Sequence, residues 1–234
     1  MAGVIVALDK PSRAEALEVV DTLGDVGAFY KVGLELYTRA GPAVVEELRA
    51  RGKKVFLDLK LHDIPNTVAG AVHAASELGV DLLTVHGVGG GAMMEAARRA
   101  AGGGMRLLAV TVLTSHSPDD LRVVWGREVR SAQDEVSRLA ELAFASGMDG
   151  VVASPLEVAG IRREFGADFL LVTPGIRPEG TDQGDQKRVA TPRAAVEAGS
   201  DYLVVGRAVT RAADPRRALE EVLAEVRAVS GEDH

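Results

Sequence analysis

Apolar residues in this chain gather in short runs, and between the runs they recur every three or four positions. The runs fall at 4–9 (VIVALD), 29–32 (FYKV), 54–59 (KVFLDL), 82–85 (LLTV), 107–111 (LLAVT), 150–153 (GVVA), 170–173 (LLVT) and 202–205 (YLVV). Such near-continuous apolar character predicts parallel strands buried on both faces. Helix-start signals stand between them. Ser12-x-x-Glu15 and Ser154-Pro155-x-Glu157 predict capping boxes, and Thr191-Pro192 and Asp214-Pro215 predict an N-cap followed by proline at the first helical position. The last helix carries Leu219, Val222, Leu223 and Val226 on one stripe. Eight strands alternating with helices predict an α/β fold, a single-domain (β/α)8 barrel spanning 1–234. A doubly wound sheet is the alternative, and it usually needs fewer strands.

A small repeat supports the alternation. Gly-x-Asp precedes an apolar run four times, at Gly79–Asp81, Gly147–Asp149, Gly166–Asp168 and Gly199–Asp201. A helix ending in a left-handed glycine, followed by a tight loop into the next strand, accounts for each copy. Two connections exceed the usual strand-to-helix length, at 112–130 and 174–190, and loops of that size in a compact domain serve as lids or binding segments.

Composition narrows the function. The 234 residues carry 27 Lys+Arg against 34 Asp+Glu, a formal charge of −7. That balance disfavours wholesale binding to nucleic acid or an acidic membrane, while leaving room for a local anion pocket. Without cysteine there is no disulfide, thiolate nucleophile or cysteine-based metal site. The N-terminus lacks the basic and apolar regions of a signal peptide, and no uncharged apolar run reaches the roughly 18 residues of a membrane span. The expected location is the cytoplasm.

In a barrel, chemistry gathers where the strands end. The polar residues there are Asp9, Lys31, the run Asp58-Leu59-Lys60-Leu61-His62-Asp63, His86, Thr111 and Thr114, then Arg177 and finally Gly206-Arg207. Asp58 and Lys60 lie two apart on a strand, so both should point the same way. With Lys31 and Asp63 they predict an alternating Lys–Asp–Lys–Asp array, and burying four charges is costly without a purpose. Gly206-Arg207 predicts a phosphate grip with a forked cation, assisted by Arg177 on the adjacent loop. His62, His73, His86 and His116 lack ligand spacing, so no metal site is expected. His86 is compatible with touching a ligand or with a structural role, and Trp125 has no functional reading.

Seven segments carry a resemblance: VALD at 6–9, KVG at 31–33, DLKLHDIPNT at 58–67, VTVLTS at 110–115, TPGIRPEG at 173–180, GDQKR at 184–188 and VVGRAVT at 204–210. In this order they resemble the orotidine 5′-monophosphate decarboxylase family over nearly the whole chain. The resemblance implies conversion of orotidine 5′-monophosphate to UMP, the last step of pyrimidine nucleotide synthesis, with no cofactor. It implies that Lys60 donates a proton to C6 of the pyrimidine, that Asp58 sits beside the departing carboxylate, and that Lys31 and Asp63 complete the array. Asp9 and Lys31 would hold the ribose side, Thr114 the pyrimidine, and Arg177, Gln186, Gly206 and Arg207 the phosphate. Asp63 and Thr67 would reach into the partner's site of a homodimer, although spacing alone allows Asp63 to serve its own chain.

Two other functions compete. A metal-dependent sugar-phosphate decarboxylase or aldolase of a related barrel superfamily shares the D-x-K-x-x-D pattern, but it has a Glu where this chain has Lys31. An ammonium there would repel Mg2+. A non-catalytic phosphosugar-binding barrel would account for the phosphate grip and leave the charges of the second and third strands unexplained.

Overall fold

Every predicted apolar run forms a strand. The strands are β1 (Gly3–Ala7), β2 (Phe29–Gly33), β3 (Lys54–Leu61), β4 (Leu82–His86), β5 (Arg106–Val110), β6 (Gly150–Val152), β7 (Leu170–Thr173) and β8 (Tyr202–Val205). The computed structural model describes residues 2–178 and 189–229. All pairings are parallel, and the sheet closes in chain order when β8 pairs with β1, Gly3 opposite Tyr202. Closure excludes the doubly wound alternative, which has two free edges. β1 stops two residues before Asp9, because beyond Ala7 only the Leu8 N–H to Lys31 carbonyl bond (3.0 Å) continues the ladder.

The described helices are α1 (Arg13–Leu23), α2 (Leu34–Ala40), α3 (Ala43–Ala50), α4 (Pro65–Glu77), α5 (Gly91–Ala100), α6 (Pro118–Trp125), α7 (Ala132–Ala145), α8 (Val158–Phe165), α9 (Pro192–Glu197), α10 (Arg207–Thr210) and α11 (Pro215–Val229). Ser12 caps α1 and Thr191 caps α9, each through its side-chain oxygen, and the Asp214 carboxylate accepts from the Arg217 amide at the start of α11 (3.0 Å). The Ser154 box is a correction. The Ser154 hydroxyl does meet the Glu157 carboxylate, and both residues are buried. However, the Glu157 amide donates to the Ser154 carbonyl in a turn (3.1 Å), and α8 starts only at Val158.

The 112–130 connection also differs from a plain loop, because it contains α6. Ser117 and Asp120 form a reciprocal capping box at its start. Trp125, at its end, packs partly buried against the core. The guanidinium groups of Arg127 and Arg138 lie 5.1 and 5.8 Å from its ring centroid, and both bind one oxygen of buried Glu135, at 2.6 and 2.9 Å. These contacts pin the connection to α7 and give Trp125 a structural role.

Strand alternation divides the core into two layers. Ile5, Ala7, Phe29, Phe56, Leu82, Leu108, Val172 and Val204 fill the barrel, and the intervening strand residues pack outward under the helices. The Gly-x-Asp repeat works at the opposite end from the charged strand ends. Gly79, Gly147, Gly166 and Gly199 all have positive φ, between 69° and 103°. In three copies the aspartate accepts an amide of the preceding strand: Asp81 from Val55 (2.8 Å), Asp149 from Leu107 (2.8 Å) and Asp201 from Leu171 (2.7 Å). Arg162 adds a 2.6 Å ion pair to Asp201. Asp168, in the fourth copy, is exposed and its side chain makes no such bond. No helix among the described residues is long and apolar enough to cross a membrane.

The two kinds of copy should behave differently on truncation. Asp201→Ala leaves the Leu171 amide without its acceptor and should cost about 1–3 kcal/mol. Asp168→Ala should stay within about 0.5 kcal/mol of wild type. Denaturant midpoints of the two variants check this, and equal losses would contradict it.

Candidate active site

At the carboxyl ends of β1 to β4, the inward face that is apolar lower down becomes polar. Two residues beyond Ala7 comes Asp9, beyond Phe29 comes Lys31, beyond Phe56 comes Asp58 and beyond Leu82 comes Thr84. Strand parity therefore places all four side chains over the barrel core. Asp9, Lys31 and Asp58 line a cavity of about 450 Å3, floored by Ala7, Phe56, Val110, Val152 and Val204. That volume falls in the ~300–1,000 Å3 range of small-molecule sites.

The charged groups form one chain. Lys31 Nζ lies 3.1 Å from Asp9 Oδ1 and 3.7 Å from Asp58 Oδ2, and Lys60 Nζ donates to Asp58 Oδ1 at 2.8 Å. A Cβ on Gly33 would lie 3.1 Å from Lys31 Nζ, so the glycine of the KVG motif leaves room for the ammonium. The alternating array thus exists, with Asp9 as its fourth member in place of Asp63. The Asp63 carboxylate accepts from the Ile64 amide at 2.6 Å and forms no ion pair among the described residues. Asp63 and Thr67 are exposed, on the segment where Pro65 opens α4.

Asp58 and Lys60 meet as predicted, but not through plain alternation. The β3–β4 register shifts between Leu57 and Leu61, and Lys60 has φ 51°, the one non-glycine residue with positive φ among those described. This conformation is uncommon for a lysine and costs of order 1 kcal/mol or more. The freed Lys60 amide donates to Thr84 Oγ1 at 2.9 Å, and the Thr84 hydroxyl donates to Asp58 Oδ1 at 3.0 Å. Thr84 is fully buried, and nothing in the sequence singles it out, because it stands inside the apolar run LLTV rather than at its end.

Electrostatics follow from this geometry. Burial disfavours the Asp58 charge, but Lys31, Lys60 and the hydrogen bonds from Lys60 and Thr84 outweigh it and hold the carboxyl below its ordinary value. His86 ends β4 with its Nδ1 buried and unbonded, and its ring lies 5.7 Å from that of His62. Burial first, then the positive charges of His62, Lys60 and His116, push its pKa down. It does not line the cavity, so the structural role suits it. Among the described residues no group of three His, Asp or Glu side chains could hold a metal ion.

The other side of the cavity lies beyond β1, where β7 and β8 end. Arg177, Gly206 and Arg207 line it, together with Arg211, which was not anticipated although it stands four residues after Arg207. The neck of the long loop is closed by Arg177 N–H to Ala190 carbonyl (2.9 Å) and Ala190 N–H to Gly175 carbonyl (3.3 Å). Gln186 lies outside the described residues. α10 is a single turn, so the arginine side chains outweigh any helix dipole there. Thr114 lines the wall contributed by the segment after β5.

A (β/α)8 barrel with a fixed cation–carboxylate chain on one side of its mouth and three arginines on the other has the design of an enzyme for a small anionic substrate. The model of the orotidine 5′-phosphate decarboxylase / HUMPS family matches residues 3–222, and the chain belongs to that family. It is 49% identical to the orotidine 5′-phosphate decarboxylase of Moorella thermoacetica, over 97% of this chain and 92% of that protein. It is 53% identical to that of Halorhodospira halophila over 96% of each. The crystal structure of orotidine 5′-phosphate decarboxylase from Lactobacillus acidophilus matches with a TM-score of 0.87 at 42% identity, covering 97% of this chain and 99% of that one.

The lowered carboxyl of Asp58 has a signed consequence for stability. Its folded-state pKa lies below the unfolded value of about 3.9, so its contribution is complete above that value and is lost as pH falls through the folded pKa. The thermal midpoint of Asp58→Asn should lie below wild type by a constant margin near neutrality, and the margin should close below about pH 4. A margin that widens in acid would contradict the pairing.

Proposed function

We propose that the cavity takes orotidine 5′-monophosphate with its pyrimidine carboxylate at the Asp58–Lys60 pair and its phosphate at Arg177 and Arg207, and converts it to UMP. The reaction is the carboxy-lyase step of pyrimidine nucleotide synthesis that gives the family its name. The observation that carries the placement is the 2.8 Å Lys60–Asp58 pair, set across β1 from an arginine-lined recess.

The chemistry suits fixed charges. The bond from C6 to the carboxylate breaks, its electron pair stays on C6 and CO2 leaves. That pair lies in the ring plane, orthogonal to the π-system, so the ring cannot delocalise it. Stabilisation then has to come from a preorganised cation. Lys60 supplies that cation and gives its proton to C6, and solvent reprotonates the amine. Asp58 sits beside the substrate carboxylate and fixes the ammonium. Asp9 and Lys31 take the ribose side, Thr114 the pyrimidine, and Gly206 and Gln186 assist the arginines at the phosphate. Energy from the remote phosphate is thereby used at the reacting carbon. The metal-dependent barrel chemistry is not supported, because the Lys31 ammonium stands between two carboxylates that would otherwise offer ligands.

Asp63 and Thr67 enter the reading through a partner. Leu34, Ile64 and Val88 follow β2, β3 and β4 at the same end of the barrel as Asp63, and are exposed apolar side chains. A twofold homodimer that covers them would bring Asp63 and Thr67 to the neighbouring mouth. The proposed setting is the cytoplasm, since phosphorylated nucleotides do not cross a bilayer unaided.

Two outcomes test this. Wild-type protein with EDTA should consume orotidine 5′-monophosphate, followed as loss of substrate absorbance, while Lys60→Ala should lose several orders of magnitude in turnover yet still bind UMP. Near-normal turnover by Lys60→Ala would sink the assignment. Mixing Lys60→Ala with Asp63→Ala should restore activity toward about a quarter of wild type after random exchange, because half the dimers are mixed and each holds one intact site. No recovery despite demonstrated exchange would reject the shared site.

A further inference from the structure

We infer that Thr84 is a positioning residue of the decarboxylation: its hydroxyl holds the Lys60 backbone in its left-handed conformation and orients the Asp58 carboxylate, so it governs turnover without touching substrate. The inference rests on the functional reading above.

The hydroxyl has one proton and two lone pairs. It spends the proton on Asp58 Oδ1 (3.0 Å) and accepts the Lys60 amide (2.9 Å). Both partners are the reacting pair, and Lys60 Nζ binds the same Asp58 oxygen at 2.8 Å. Oδ1 of Asp58 is therefore fixed from two directions, and the Lys60 side chain is tied at its root and at its tip. A regular β3–β4 ladder would offer the Lys60 amide a backbone acceptor. The register shift removes that acceptor, and pairing resumes only at Leu61 opposite Val85. The threonine hydroxyl replaces the missing carbonyl, which leaves no buried donor orphaned at a residue with φ 51°. Thr84 is fully buried and does not line the cavity, so it acts through Lys60 and Asp58. Its branched Cβ restricts χ1, which makes the hydroxyl a stiff anchor. A reacting cation displaced by as little as about 1 Å can cost about 100-fold in rate.

The test uses the full chain and the variants Thr84→Val, Thr84→Ala and Thr84→Ser. Sites are counted by UMP binding in a calorimeter, and kcat and KM are measured with orotidine 5′-monophosphate. Thr84→Val keeps the shape and removes both hydrogen bonds, and Thr84→Ala repeats the loss without added bulk. Both should lower kcat per UMP-binding site by about 10- to 100-fold, with UMP affinity and KM within about threefold of wild type. Thr84→Ser retains the hydroxyl and should return kcat to within about threefold. Unchanged kcat per site in Val or Ala overturns the inference. So does a serine variant as slow as valine, which would assign the effect to the methyl group, and so does loss of UMP binding in both Val and Ala, which would make Thr84 a folding residue only. Wild-type protein that leaves the substrate intact defeats the functional reading, and this inference with it; wild-type turnover with unaffected Val and Ala variants defeats this inference alone.

Discussion

Burial of the Asp58 carboxylate between two ammonium groups is the interaction around which the barrel mouth is arranged. A lone carboxylate over an apolar core would take up a proton or draw in water. Lys31 on the neighbouring strand, Lys60 two residues on and the Thr84 hydroxyl keep it ionised there. Each has a structural cost. The Lys31 ammonium lies where a side chain at position 33 would crowd it, and Lys60 comes with a register shift and a left-handed backbone. Removing one partner would leave an uncompensated charge, so the group stands as a unit.

The costs are met at the other end of the barrel. There three of the four Gly-x-Asp turns bind strand amides through carboxylates, and Arg162 clamps Asp201 together with the Gly166, Phe169 and Gly199 carbonyls. The apolar layer inside the barrel then separates this end from the charged one. Strain and like-charge proximity can thus be held at the strand tips without loosening the sheet.

The same separation suits catalysis by fixed charges. A cation that must meet an electron pair confined to the ring plane works only if it is already in place, since reorganisation during the reaction would consume the stabilisation. Lys60 is held by its own amide, by its tip and by the closed sheet, which leaves it little freedom to reorganise.

The eight strands were legible in the sequence because strands buried on both faces must be apolar almost throughout, and the glycine turns because a left-handed helix end demands glycine. Asp58, Lys60 and Lys31 were legible as well, being charges placed at the ends of apolar runs. The sequence also held signals that went unread, the Ser117–Asp120 box of α6 and the spacing of Arg211 from Arg207. What only the tertiary structure decided is who meets whom across strands. Within the chain Asp9 joins the array and Asp63 stands outside it, since the first depends on the β1–β2 pairing and the second on where Pro65 turns the chain. Thr84 looks like an ordinary strand residue until the β3 bulge turns the Lys60 amide toward it. A bulge is a change of register between two strands, and register is a property of the pair that neither strand's residues specify alone.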